Sequence, residues 1–282
     1  MVRADENTYG EWIGRSKTDV DLITRTPLNA LAATLDLDAP ELVVPPLWHW
    51  IYFLSPTRMT DIGSDGHSKL HDFLPETPFP RRMRAGGRFT FSKLLEIGEQ
   101  AERHSTVENV QTKIGASGQL IFVSLRHEIF GNRGARITEI ENIVYREAPK
   151  AEKKPIADRP LDLSAQWTRS VTPDPILLFN YSAVTLNSHR IHYDRTYCMQ
   201  VEGYPGLVVH GPLTAILLLQ LLAEHAPNAV VKEFSYSAVG PLFDTASFRL
   251  CGRIDEHTAT LWAMDNRDAV ALSAQAELSI QK

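Results

Sequence analysis

The sequence predicts an α+β chain made of one unit written twice, each half a long central helix wrapped by a curved antiparallel β-sheet. Three observations carry this. First, Glu147 to Pro160 (EAPKAEKKPIADRP) is charged and holds three prolines, a composition that suits a linker and no core element. It divides the chain into residues 1–146, 147–160 and 161–282. Second, short segments recur in the same order. Thr26-Pro27, Ala33-Thr34-Leu35-Asp36 and Leu42-Val43-Val44-Pro45-Pro46-Leu47 are echoed by Thr172-Pro173, Val184-Thr185-Leu186-Asn187 and Leu207-Val208-Val209-His210-Gly211-Pro212-Leu213. Third, each half places an apolar helix before several long strands, which together form a helix-on-sheet layer.

In the first half, a helix carries the Thr-Leu-Asp segment, and Leu47 to Leu54 reads as the longer apolar helix. Arg82 to Ser92 alternates sharply enough to be a strand, with Arg82, Arg84, Gly86, Arg88, Thr90 and Ser92 on one face. Gln119 to Phe130 and Arg136 to Glu147 are strands joined by the turn Gly131-Asn132-Arg133-Gly134. In the second half, a helix carries Thr-Leu-Asn, and Pro212 to His225 is a helix buried on nearly all sides. Ser247 to Ile254, Ala259 to Asp265 and Ala269 to Ile280 are strands, separated by Asp255-Glu256 and Asn266-Arg267-Asp268.

The bulk properties exclude several function classes. The chain has 282 residues, 43% hydrophobic and 22% charged, as an ordinary globular protein does. A net charge of −5 argues against a general nucleic-acid binder, which needs a basic surface. Met1 to Trp12 is polar with no apolar core of a signal peptide, and the run from Pro212 to Ala223 is too short to span a bilayer. The two cysteines, Cys198 and Cys251, suit a reducing compartment, so a cytoplasmic location is expected.

The repeat is informative where it breaks. The stretch from Phe179 to Asp194 (FNYSAVTLNSHRIHYD) contains His189 and His192, and the first half has no counterpart. Where the second half has His210-Gly211, the first has Pro45. The first copy is therefore expected to keep the fold and to have lost the chemistry.

These residues resemble the MaoC-type, (R)-specific enoyl-thioester hydratases and dehydratases of the hotdog fold, and more closely their two-hotdog branch. The resemblance rests on Phe179 to Asp194 and Tyr204 to Leu213 in the second half. In the first half it rests on Pro45 to Trp50 (PPLWHW), Phe73-Leu74-Pro75 and Pro80 to Arg88 (PRRMRAGGR). It implies a double hotdog, an acyl-CoA thioester substrate and no separate cofactor. It also implies two departures. Asn187 stands where single-hotdog members carry Asp, and Arg84 stands where Trp is expected.

Hydrating an enoyl thioester requires a base for water, a donor for the developing oxyanion, and a fixed water. His192 is the expected base, because an unperturbed histidine titrates at about pH 6.5. Asn187 cannot remove a proton, but its amide can orient the water. Gly211, opening the buried helix, offers the oxyanion a close approach to free N–H groups at the positive end of the helix dipole. His210 and Asp194 are supporting candidates, and His189 is either a third or a solvated loop residue. No metal is expected, since His189 and His192 have no third ligand at a sensible spacing. His67 and His71 lie in a polar loop and are weaker candidates. Arg190 is the foremost candidate for a substrate carboxylate. Arg84 and Arg88 either meet carboxylate or coenzyme A phosphates, or belong to a plain solvated sheet face. Trp48, His49 and Trp50 are read as core, with pocket lining the lesser reading.

The expected reaction is hydration of a short branched dicarboxylic enoyl-CoA, mesaconyl-C4-CoA or itaconyl-CoA, to citramalyl-CoA. The alternatives are a general (R)-3-hydroxyacyl-thioester dehydratase, a hotdog thioesterase and a non-catalytic acyl-binding protein. A homodimer is expected, with no nucleic-acid or membrane partner.

Overall fold

A computed structural model describes residues 9–69, 73–79, 81–115, 118–146 and 164–280. His71, the leading segment to residue 8 and the linker 147–160 lie outside the described residues. The elements, in chain order, are β1 (Ser16–Leu22), α1 (Arg25–Thr34), β2 (Arg81–Lys93), β3 (Gln100–Gly115), β4 (Gly118–Gly131) and β5 (Arg136–Arg146). They are followed by β6 (Trp167–Val171), α2 (Pro175–Val184), α3 (Arg195–Gln200), α4 (Gly211–His225), β7 (Ala229–Ala238), β8 (Phe248–Asp255), β9 (Thr258–Met264) and β10 (Val270–Ile280).

The ten strands form one antiparallel sheet in the order β1-β3-β4-β5-β2-β7-β10-β9-β8-β6. Read outward from the central β2–β7 pair, the two sides have the same connectivity. The pairing of β2 with β7 is antiparallel and sets Phe89 opposite Phe234. Both rings are buried, so apolar contact joins the two units at their seam.

The duplication is visible in the local geometry, and it corrects the sequence register. Thr24 and Asp174 occupy the N-caps of α1 and α2, so Thr26-Pro27 lies inside its helix whereas Thr172-Pro173 precedes its own. After each helix comes one left-handed residue, Asp36 (φ 54°) or Leu186 (φ 50°). The next amide then closes on the helix, Leu37 on Ala32 and Asn187 on Ser182. Asn187 therefore corresponds to Leu37, and Asp36 is not the remnant of a catalytic acid. The Val-Val echo keeps its register, with Val43 bridging Glu96 as Val208 bridges Phe243.

The α+β class holds, but the halves differ at their centres. In the second half α4 has nine of its fifteen residues buried and packs against β7, β8, β9 and β10. Pro212 in its first turn and an unbroken leucine-rich body favour this helix. The expected helix from Leu47 to Leu54 is absent. That segment makes a single 3-10 turn, Trp48–Ile51, entered through Leu47 at φ 69° and left through Phe53 at φ 55°. Eight residues with two positive-φ positions cannot propagate an α-helix. Trp48 and His49 are buried there as core, as the sequence suggested. A long loop then runs to β2 and places Phe73, Leu74 and Phe79 against Val107, Ile121, Val123, Leu125, Ile143 and Tyr145 of the first-half sheet.

Candidate active site

The space left without a first-half helix is a cavity of about 1340 Å³ that reaches from the first-half sheet to the N-terminus of α4. Asn187, His189, His192, His210 and Gly211 all line it. The active-site segment is held by its own backbone. Asn187 Oδ1 accepts the His189 amide at 3.1 Å, and the 3-10 turn Arg190–His192 carries His192 inward.

His192 is buried and its Nδ1 lies 2.7 Å from the Val208 carbonyl. A carbonyl only accepts, so Nδ1 carries the proton and Nε2 keeps its lone pair. Burial pushes the His192 pKa down to about 4, against the pull of the Val208 carbonyl, so the ring is neutral at neutral pH. His210 stacks on it at 3.6 Å between ring centroids, and its Nε2 meets the Ser182 hydroxyl at 2.9 Å. Burial, with His192 and His189 nearby, holds His210 well below the ordinary histidine range. Gly211 has open space where a Cβ would stand, so the helix N-terminus is accessible from the cavity.

The first half contributes to the same site. The loop residues Asp65 and His67 line the cavity, with Asp65 Oδ2 2.8 Å from His67 Nδ1. The His67 and His189 rings are 4.1 Å apart, and His189 meets His192 edge-on at 5.5 Å. The first copy, expected to keep only the fold, thus lends side chains to the lining of this cavity. Nothing in the sequence signalled this meeting, because Asp65 and His189 are far apart along the chain. The ligand-type atoms of Asp65, His67 and His189 all lie within 4.8 Å of one another, a spacing that a cation could bridge. Of the three, Asp65 and His67 are hydrogen-bonded to each other through Oδ2 and Nδ1.

Other candidates are placed elsewhere. Arg190 donates to Asp194 from Nη2 at 2.7 Å and to the Ser64 carbonyl from Nη1 at 2.8 Å, and lies over the Tyr197 ring. Asp194 caps α3 by accepting the Tyr197 amide. Neither is among the residues that line the cavity; each is engaged with the other and with α3 or the Ser64 loop. Their four-residue spacing already fits an ion pair on one helical turn. A bulge between Arg84 and Gly86 breaks the alternation of β2. Arg82 and Arg84 consequently line the cavity, whereas Arg88 is exposed and does not.

The cavity wall on the first-half sheet is charged. Arg84 Nε donates to Glu141 at 2.6 Å, His127 Nε2 lies 3.3 Å from the other Glu141 oxygen, and Trp50 Nε1 donates to Glu139 at 3.1 Å. Burial opposes the Arg84 charge, but Glu141 outweighs it and holds the pKa raised. Trp50 lines this wall, the lesser of the two readings made of it from the sequence. Arg82 differs from its neighbours: among the described residues it has no carboxylate in ion-pair contact, while Arg81 has Glu202 and Arg84 has Glu141. Its charge acts on His67 and His189.

The comparisons with known proteins agree with this geometry. The hydroxyacyl-thioester dehydratase type 2 family matches residues 47–244. A mesaconyl-C(4)-CoA hydratase of Chloroflexus aurantiacus is 44% identical over 276 residues, covering 95% of this chain and 96% of that protein. The mitochondrial hydroxyacyl-thioester dehydratase type 2 of Schizosaccharomyces pombe is 27% identical over 277 residues, covering 86% and 90%. A MaoC-like dehydratase from Phytophthora capsici shares the fold, with a TM-score of 0.68 at 11% identity over 95% of this chain and 96% of that one. A buried neutral histidine, a side-chain amide and an open helix N-terminus on one cavity thus sit in a chain that belongs to the hydroxyacyl-thioester dehydratase type 2 family and is a hydro-lyase.

Proposed function

We propose that the protein hydrates mesaconyl-C4-CoA to citramalyl-CoA. The observation that carries this is the neutral His192, with a free Nε2 on the cavity beside Asn187 and the N-terminus of α4. Since Asn187 Oδ1 accepts the His189 amide, its –NH₂ is left to hold the oxygen of a water. His192 Nε2 takes a proton from that water as its oxygen bonds to the β-carbon. The double-bond electrons move to the thioester oxygen, at the amides that open α4. Collapse of the enolate then takes the proton from His192 to the α-carbon, so every atom is accounted for without a cofactor.

The substrate class is supported by the relative at 44% identity and by the cavity wall. In mesaconyl-C4-CoA the free carboxylate is attached to the β-carbon, one bond from the attacking water. Arg82, a cavity-lining cation acting on His189, is suited to receive it. A long alkyl chain would have to lie against Arg84, Glu139 and Glu141, which disfavours fatty acyl substrates.

Incubation with mesaconyl-C4-CoA, itaconyl-CoA and an uncharged chain-length series, followed by enoyl absorbance and mass spectrometry, tests this. Water addition to mesaconyl-C4-CoA, abolished in His192→Ala, is expected. Preference for long uncharged acyl groups would instead indicate a general hydroxyacyl-thioester dehydratase, and release of free thiol a thioesterase.

A further inference from the structure

The carboxylate of Asp65 and the imidazoles of His67 and His189 take no part in the hydration described above, yet all three line its cavity. One ligand atom from each lies within 4.8 Å of the other two. The geometry points to a binding site for one divalent transition-metal ion, with zinc as the probe. An ion seated there inhibits the enzyme by occupying the cavity beside His192, whose ring meets that of His189 at 5.5 Å. Only the inhibition rests on the hydration reading; the site itself does not.

The donor set selects the kind of ion. Two imidazoles and a carboxylate suit zinc and its neighbours in the first transition row, whereas calcium and magnesium take oxygen ligands. Asp65 Oδ2 and His67 Nδ1 are 2.8 Å apart as hydrogen-bond partners. Two neighbouring ligands on one zinc ion, with bonds of about 2.0–2.1 Å, stand about 3 Å apart, so the pair is already near its ligating separation. The ion takes the place of the shared hydrogen, and the His67 ring proton moves to Nε2. The His189 ring lies beside that of His67, 4.1 Å between centroids. Three protein ligands leave a fourth position for water. The sequence gives His189 no third ligand at a sensible spacing; the fold supplies two from the other half of the chain.

The junction holds the ligands in place. Gly66, at φ 94°, packs so tightly on the active-site segment that a Cβ there would lie 1.8 Å from the Ser188 carbonyl oxygen. The Arg190 amide donates to the Asp65 carbonyl at 2.9 Å, and the Ser188 hydroxyl donates to the Gly66 carbonyl. Arg190 Nη1 grips the Ser64 carbonyl at 2.8 Å. Asp65 Oδ1 accepts the His67 amide at 3.0 Å, which fixes the carboxylate with Oδ2 toward the ring. The His189 amide is fixed in turn by Asn187 Oδ1. Backbones that are tied before the ion arrives lose little freedom when it binds. One neighbour opposes the ion: Arg82, whose charge acts on both histidines.

The test uses the full chain without an affinity tag. Calorimetric titration with zinc should show one ion per chain, and cobalt(II) should change its visible spectrum from that of the hydrated ion. His67→Ala and Asp65→Asn should each weaken zinc binding by about 10-fold or more. They should raise the zinc concentration that halves turnover by the same factor, each rate being read against the same variant without zinc. Arg82→Gln removes the opposing charge and should tighten binding by about 3-fold. Absence of one-to-one binding up to about 100 µM zinc overturns the inference. So does binding that His67→Ala and Asp65→Asn leave unchanged, or bound zinc that leaves wild-type turnover unaltered. An unchanged cobalt spectrum on the wild type overturns it too, and needs no variant to fold. Calorimetry and the spectrum need no turnover, so a chain that binds zinc but hydrates no enoyl-CoA overturns the hydration reading and leaves the site standing.

Discussion

The two halves share strand connectivity and differ in the segment after the Val-Val bridge. After Val209 the second half has His210 and the fifteen-residue helix α4. After Val44 the first half has Pro45-Pro46 and two short 3-10 turns, Trp48–Ile51 and Met59–Asp61, within a long connection to β2. The helix fills the concave side of its own sheet with leucines. The loop covers only part of the other sheet with Phe73, Leu74 and Phe79, and polar side chains of β2, β4 and β5 line the remaining opening. The half without a central helix thus leaves a cavity beside the half that has one. It also has a loop long enough to cross the seam and carry Asp65 and His67 to the second half.

That division of labour can be broken at either end. The largest effect is expected at His192: replacement by Ala should lower kcat by roughly 10³- to 10⁴-fold with an unchanged fold. Steady-state rates beside a circular dichroism spectrum check this, and near-wild-type turnover would place the base elsewhere. Next is the junction. Gly66→Ala introduces a side chain at φ 94° against the Ser188 carbonyl, and should cost about 3 kcal/mol in urea unfolding along with most of the activity. An unshifted midpoint would mean that the halves do not depend on this contact.

Arg82→Gln sharpens the comparison on the first-half side. It should reduce kcat/KM for the dicarboxylic enoyl-CoA by roughly 100-fold while sparing an uncharged one of the same length. Equal loss on both substrates would argue against recognition of a carboxylate.

Stability should also depend on pH through the histidine cluster. His192 titrates at about 4 in the folded chain, and His67, His189 and His210 are lowered too, chiefly by burial. The unfolded chain takes up these protons near pH 6.5, so between that value and the folded pKa it binds more of them. Stability should fall as pH drops from about 6.5 toward about 4, and the effect should vanish above 6.5. Thermal midpoints across this range check the sign, and His192→Phe should flatten the slope.

The smallest effect is expected at Arg190. Because it holds Asp194 and Ser64 away from the cavity, Arg190→Ala should change KM by less than about 3-fold and destabilise by roughly 1 kcal/mol. A large rise in KM would restore it as the carboxylate receptor.

The second-half segment that lines the cavity was legible in the amino-acid order alone. Asn187, His189, His192, His210 and Gly211 lie within one short stretch, and a local turn and a helix start suffice to bring them together. Periodicity also placed β2, β4, β5, β8, β9 and β10 to within a few residues, whereas β1, β3, β6 and β7 went unread. Tertiary packing settled whatever depends on distant partners. A single bulge turned Arg82 and Arg84 toward the cavity and left Arg88 outside, which alternation alone cannot show. The apolar run from Leu47 to Leu54 could not say whether it would extend as a helix, since tertiary packing outweighs propensity in so short a segment. Asp65 and His67 became site residues only because antiparallel pairing at the β2–β7 seam brings one half against the other. Local patterns record which face of an element is buried; they do not record what is buried against it.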